Sequence, residues 1–249
     1  MKPDDFQQNR LYGDLACLWP LVSPPDDYIE EGEVWVELIR SRLGPGRHSI
    51  LELGTGGGNL LSQLTGEFDA EAVDLSEGML EHSRKLNPGV THHVADMRDV
   101  WLGRQYDAVC IHDAIGYLLN EDDIRKTFAT AAAHLRPGGL FIGAPDWYKE
   151  TFEDPTVESA TNESGGIEVT YVSYSWDPDP GDNLFENLMT YFIREGGSLR
   201  IEHDRHVHGL FSLERWLSLM EEAGFTAEGH QCETNGEARS SCMLVGTKR

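Results

Sequence analysis

Glu52, Gly54, Gly56 and Gly58 fall at every second position of the stretch Ile-Leu-Glu-Leu-Gly-Thr-Gly-Gly-Gly-Asn that covers residues 50–59. Glycines between a strand and a helix let a ligand approach the backbone, and the helix N-terminus favours a carboxylate or phosphate. The dinucleotide fingerprint Gly-x-Gly-x-x-Gly is not met, because Asn59 stands where its third glycine would be. A carboxylate two residues before the first glycine suits a different ligand, one with a cationic amino group near the turn. Asp74 then ends a second strand, where an acid accepts hydrogen bonds from both hydroxyls of a ribose. Each feature alone has a plain structural alternative: any phosphate at the turn, a helix cap at Asp74, core packing at Met79. Their conjunction at consecutive strand ends, where open α/β sheets bind ligands, carries the reading.

A second group of reactive side chains lies further along. His112, Asp113 and Tyr117 follow a fourth strand. Asp204, His206 and His208 sit at alternate positions of a later strand and so share one face. Those three types could hold a metal, form the polar outer face of an antiparallel sheet, or turn His206 into a pocket. The structural role is weighed first, the pocket second and the metal last; no metal is expected. His92-His93 point to opposite faces and carry no reading. Near the start, Tyr12 and Tyr28 are read as a lid over a bound ligand and Trp19 as packing.

The turn from Glu52 through Gly58 resembles the first motif of class I S-adenosylmethionine (SAM)-dependent methyltransferases. That resemblance implies cofactor contacts from Glu52, Gly54, Thr55, Gly56 and Gly58, with Asp74 and Leu75 at the ribose and Tyr12 above. It places Asp96 at the adenine amino group beside Met97, and Met79 on the adenine face. His112 or Asp113 would reach the cofactor from its other side. The stretches Asp96-Met97-Arg98-Asp99, Ile115-Gly116-Tyr117-Leu118 and Glu150-Thr151-Phe152 resemble, more narrowly, the N,N-dimethyltransferases of nucleotide-linked amino sugars. Some members of that group carry His where this chain has Tyr117. The implied catalytic residues are His112, Tyr117 and His206, and the implied substrate contacts are Tyr28, Tyr117, Trp147 and His206. An amine acceptor must lose a proton, and a hydroxyl acceptor needs a base more urgently. The resemblance leads to N-methylation of an amino sugar or similar amine. O-methylation of another metabolite and a non-catalytic SAM-binding module are the alternatives, and a nicotinamide-dependent oxidoreductase is disfavoured by the glycine spacing.

The elements that must hold these residues read as an α/β fold. Strands at 49–53, 71–75, 93–95, 106–112 and 140–144 alternate with helices, which implies a Rossmann-like, doubly wound and mostly parallel sheet. Asp26 or Asp27, Ser76, Asn120 and Ser212 are read as helix caps. The helix after Asn120 is expected to close at Arg136-Pro137-Gly138-Gly139. Residues 151–165 read as a mobile loop, followed by an inserted antiparallel meander of three strands at 167–176, 184–194 and 198–208. The expected domains are an N-terminal lid over 1–47, a SAM-binding core over 48–150, the insertion over 151–209 as pocket wall or homodimer surface, and closing elements over 210–249.

Composition narrows the partners. Of 249 residues, 39% are hydrophobic, enough to build a core, and the net charge of −23 repels phosphate backbones and anionic lipid. Nucleic acid and membrane are therefore not expected partners; a small molecule is. No apolar run spans a bilayer, the first five residues lack the basic start of a signal peptide, and a cytoplasmic location is expected. Cys17, Cys110, Cys232 and Cys242 have no zinc-site spacing and are expected as thiols, with Cys232 and Cys242 near each other on adjacent strands.

Overall fold

Ile50, Leu51 and Leu53 are fully buried in strand β1 (Ser49–Leu53), as a central parallel strand covered on both faces requires. In the computed structural model, which describes residues 6–232 and 242–249, β1 lies between β2 (Asp69–Asp74) and β4 (Tyr106–Ile111), parallel to both. Strand β3 (Thr91–Val94) pairs with β2, and β5 (Leu135–Gly143) with β4. The first five residues, in which no leader was read, lie outside the described residues. Helix α1 (Trp19–Val22) and α2 (Ile29–Leu43) precede the sheet; α3 (Asn59–Leu64), α4 (Glu77–Leu86) and α5 (Glu121–His134) connect its strands. Trp35 and Ile39 of α2 pack with Leu60 and Leu64 of α3 against one face of the sheet.

Local chemistry sets the helix starts. Ser76 accepts from the Met79 amide and Asn120 from the Asp123 amide, as read from the sequence. Asp26 and Asp27 do not cap α2: they lie in a 3-10 turn, Pro25–Tyr28, and α2 starts without a side-chain cap. The end of α5 also differs. Leu135 already pairs with Tyr106, and the stretch expected to break the helix is an irregular part of β5, with Gly138 at φ 75°. A glycine in the left-handed region lets a strand bulge rather than stop.

The inserted sheet has four strands, not three. Residues 156–164, expected within a loop, form β6 (Thr156–Ser164), joined through Gly165 and Gly166 to β7 (Ile167–Trp176); β8 (Leu184–Glu195) and β9 (Ser198–Gly209) complete the order β6-β7-β8-β9. The polar composition of β6 concealed an edge strand whose side chains alternate between half-buried and exposed. After it come α6 (Leu213–Glu222), capped by Ser212, and the antiparallel pair β10 (Phe225–Gln231) and β11 (Cys242–Lys248). Phe128 of α5 and Trp216 of α6 cover the second face. The main sheet runs β10-β11-β5-β4-β1-β2-β3. Its order reverses between β1 and β4, and the crevice beyond their carboxyl ends is where open sheets bind ligands.

The N-terminal segment is wedged between the two sheets. Leu11, Leu15, Leu18, Leu21 and Val22 share a cluster with Met79 of α4 and with Val169, Tyr191 and Ile193 of the inserted sheet. Its backbone also pairs with β9: the Asn9 amide donates to the Arg205 carbonyl at 3.1 Å, and the Arg205 amide to the Gln7 carbonyl at 3.1 Å. None of the four cysteines is in a disulfide. Among the described residues no helix is long and apolar enough to cross a membrane.

Candidate active site

Three positions of the turn after β1 take conformations that glycine favours. Gly54, Gly56 and Gly58 have φ of 73°, 54° and 77°. A Cβ on Gly54 would collide with that of Ala114, which follows β4, and one on Gly57 with the indole nitrogen of Trp19. The turn is thus squeezed between the loop after β4 and the N-terminal segment. Asp74, at the end of β2, accepts from the Gly56 amide at 2.7 Å and the Ser76 amide at 2.8 Å. Burial lifts its pKa against those amide bonds. Glu52 is 1% exposed and accepts from the Thr55 hydroxyl at 2.5 Å. Burial drives it up to about 7, so it waits for a cation to complete its charge.

Beyond the turn opens a cavity of about 470 Å³, within the range of small-molecule sites. Glu52, Gly54, Thr55, Gly56, Asp74 and Leu75 line one side; Asp96 and Met97 lie at one end, and Tyr12, Tyr28, His112, Asp113 and Tyr117 complete the wall. Asp96 is held low in pKa by Arg98, which lies 2.6 Å away and also meets Asp123 at 2.8 Å. A wider open groove of about 620 Å³ along α2, lined by Glu33, Glu37 and Arg40, shares none of these residues.

Four positions differ from the sequence reading. Met79 is fully buried in the cluster under the N-terminal segment and does not line the cavity; the neighbouring Leu75, 70% exposed, does. Trp147 is packed with Phe152, Phe185 and Leu210 behind β8, away from the cavity. Trp19, read as packing alone, lines the cavity, and its buried indole N–H has no partner among the described residues. Gly58 lies behind the wall, where a side chain would meet Ser83 and Asn87.

His112 ends β4 between two carboxylates. Its Nε2 lies 2.7 Å from Glu31 Oε1 and its Nδ1 3.4 Å from Asp113 Oδ1. Burial alone would depress its pKa, but Glu31 and Asp113 override it and hold it well above the usual value. At neutral pH both ring nitrogens therefore carry protons, and neither is open to accept one. Glu31, on the first turn of α2, was not read from the sequence; its link to His112 exists only once α2 packs beside β4.

Asp204, His206 and His208 share a face of β9 as their spacing predicts, but that face is turned inward: Asp204 is fully buried and His206 2% exposed. Tyr117 sits 2.8 Å from His206 Nδ1 and 3.0 Å from the Tyr12 hydroxyl. His206 Nε2 is 2.9 Å from Asp204 Oδ2, off the direct line of the N–H. Burial lifts both phenols well above their ordinary range. His208 packs against Tyr117 and stacks on Phe185; burial and the adjacent His206 push it down to about 3, leaving it neutral.

The donor set suits SAM chemically. Glu52 offers a buried carboxylate for an ammonium, Asp74 an acceptor pair for a diol, and Trp19 an unpartnered N–H beside the glycine turn for a carboxylate. No metal-binding group of three or more ligands occurs among the described residues.

Comparison with known proteins agrees with this geometry. A family model described as a methyltransferase domain matches residues 50–139. The chain is 33% identical, over 83% of its length and 85% of the relative's, to the dTDP-3-amino-3,4,6-trideoxy-alpha-D-glucopyranose N,N-dimethyltransferase of Streptomyces venezuelae. It is 32% identical to the dTDP-3-amino-3,6-dideoxy-alpha-D-glucopyranose N,N-dimethyltransferase of Streptomyces fradiae, over 89% of this chain and 85% of that one. The crystal structure of Streptomyces venezuelae DesVI superposes with a TM-score of 0.80 at 31% identity, covering 90% of this chain and 92% of that chain.

Proposed function

Given that the chain belongs to the family of SAM-dependent amino-sugar N-methyltransferases, we infer that it methylates the nitrogen of an amino sugar, nucleotide-linked as in its relatives. The protein is a SAM-dependent methyltransferase acting on a small molecule. One observation carries the finer reading: the carboxylates suited to SAM and the Tyr12–Tyr117 pair face the same cavity of about 470 Å³.

When bound, SAM supplies a methyl carbon activated by its positively charged sulfur. The protein's part is to bind, orient and exclude water. Glu52 receives the amino group of the methionyl end, Trp19 its carboxylate, Asp74 the ribose diol, and Asp96 with Met97 the base. His112, fixed as a cation by Glu31 and Asp113, holds the end of β4 in place. Tyr12 and Tyr117 meet the acceptor nitrogen, and alignment of this kind supplies several kcal/mol. In this reading residues 1–47 form the lid, 48–150 hold SAM, 151–209 wall the acceptor pocket and 210–249 close the core. A homodimer and a cytoplasmic location complete it.

The test is S-adenosylhomocysteine release across amines, nucleotide-linked amino sugars and hydroxylated metabolites. A strong amino-sugar substrate is the expected result. Turnover confined to hydroxyl acceptors would replace the reading with O-methylation. A thermal shift with SAM and no turnover on any acceptor would leave a binding module.

A further inference from the structure

The backbone amides of Arg10 and Leu11 both end on one side chain of the inserted sheet. Arg10 N donates to Asp204 Oδ1 at 2.9 Å, and Leu11 N to Asp204 Oδ2 at 2.7 Å. These amides open the 3-10 turn Arg10–Tyr12 that carries the Tyr12 ring into the cavity wall. The same carboxylate faces His206, which is bonded to Tyr117, which is bonded to Tyr12. A continuous path thus runs from the cavity through two hydroxyls and one imidazole to a fully buried carboxylate. Asp204 stands at both of its ends, holding Tyr12 by the backbone and His206 by charge.

The proton positions follow from the partners. With Asp204 beside Nε2, His206 keeps its proton there and leaves Nδ1 open to accept from the Tyr117 hydroxyl. As the atoms stand the Tyr117 hydroxyl donates to the Tyr12 oxygen at 3.0 Å; when that hydroxyl rotates to donate to His206 Nδ1, the Tyr117 oxygen is free to accept from Tyr12, whose oxygen keeps a lone pair for a group in the cavity. Burial would raise the Asp204 pKa, but His206 and the two amides hold it below the ordinary carboxylate range.

Resting on the functional reading above, we propose that Asp204 is a positioning residue that makes Tyr12–Tyr117–His206 a proton relay for the incoming ammonium of the acceptor. The nitrogen's lone pair is freed when its proton passes to the Tyr12 oxygen. The Tyr12 proton passes to the Tyr117 oxygen, and the Tyr117 proton to His206 Nδ1. Both phenols end neutral, one proton has moved from the acceptor nitrogen to His206, and the imidazolium lies against Asp204. Docking of the N-terminal turn and competence of the relay depend on the same carboxylate, so the relay is assembled only when the segment is seated.

The groups facing His206 are Tyr12 and Tyr117 from the cavity side, His208 and Asp204 on its own strand, and Asn187 on β8. Beyond them, Tyr191 faces Asp204, and Asp113 acts on both Tyr117 and His208. The experiment is nitrogen-15 NMR of histidine-labelled protein without acceptor, combined with kinetics, for Asp204→Asn. In the wild type His206 is expected with its proton on Nε2 at pH 8. In Asp204→Asn the ring proton is no longer held on Nε2 and the Nδ1 tautomer appears, kcat drops roughly tenfold or more, and the KM for SAM stays within about twofold. An unchanged His206 tautomer, or kcat within about twofold of wild type, overturns the proposal. Tyr117→Phe cuts the relay and leaves the clamp intact; wild-type kcat in that variant also overturns it. Absence of any amine methylation by the wild type would count against the functional reading, whereas the tautomer tests Asp204 without substrate.

Discussion

His112 Nε2 and Glu31 Oε1 lie 2.7 Å apart, tying the last turn of the cavity wall at β4 to the first turn of α2. The pair sets the charge of His112 as well as its position. Its pKa is raised well above the usual value, so the folded state holds a proton that the unfolded chain releases near 6.5. The stabilisation is fully present below that unfolded value and is lost as pH rises through the folded one. Glu31, held below 4.5 by His112 despite its burial, adds stability that disappears as pH falls through its own lowered pKa.

Glu31→Gln is therefore expected to destabilise the protein by about 1–3 kcal/mol, reduced from a fully buried pair because the Glu31 side chain is 33% exposed. Chemical denaturation at several pH values checks it. The gap from wild type should be widest between about pH 5 and 6.5 and should narrow on the alkaline side. A constant gap across that range would show that packing, not the ion pair, is what the substitution removes.

Glu52 makes SAM affinity depend on pH. At about 7 its pKa is raised by burial, so below neutrality the empty site holds a protonated acid that must ionise to meet an ammonium. Affinity should weaken by up to about tenfold per pH unit below 7. Calorimetric titration at pH 6 and 8 measures the slope. Glu52→Gln should bind more weakly at pH 8 and lose most of the pH dependence. Raised pKa values also act on stability with the opposite sign to a paired carboxylate: the Glu52 contribution is present at low pH and lost as pH rises through 7.

Trp19 and Gly57 are expected to fail together. A side chain at 57 would enter the space of the indole nitrogen, so Gly57→Ala should cost about 1–3 kcal/mol through overpacking. Trp19→Phe keeps the ring and removes the unpartnered N–H. It should leave the melting temperature near that of wild type while weakening SAM binding several-fold, in line with the loss of one hydrogen bond to a charged group. Equal SAM affinity in Trp19→Phe would remove Trp19 from the cofactor site.

The glycine turn was legible because its chemistry is local: three left-handed positions between a strand and a helix leave few alternatives to glycine. The same holds for the caps at Ser76, Asn120 and Ser212, where side chain and amide are three residues apart. What escaped was non-local. Glu31 meets His112 across 81 residues, and Asp204 meets Leu11 across 193, so spacing along the chain carries no trace of either contact. Strand β6 escaped for another reason. As an edge strand it buries neither face fully, and its Glu, Ser, Thr and Asn side chains read as loop. Asp204-x-His206-x-His208 was correctly read as one face, but alternation alone does not say which way that face turns.

Trp147 provides the sharpest contrast between a residue type and its place. Aromatic residues near the end of a catalytic strand invite a substrate role, yet Trp147 is 7% exposed and packs edge-on to Phe152 with ring centroids 5.7 Å apart. Phe152 in turn meets Phe185, and Phe185 stacks on His208 at 4.8 Å. Trp147 is thus linked to the cavity-lining Tyr117 through Phe152, Phe185 and His208. Trp147→Ala should cost about 3–5 kcal/mol from the void it leaves, and Trp147→Phe considerably less. In Trp147→Phe the acceptor KM should stay within about twofold of wild type, since uniform binding contacts are untouched. A large rise in acceptor KM with unchanged melting temperature would put the indole at the substrate after all and require the aromatic row to rearrange when the acceptor binds.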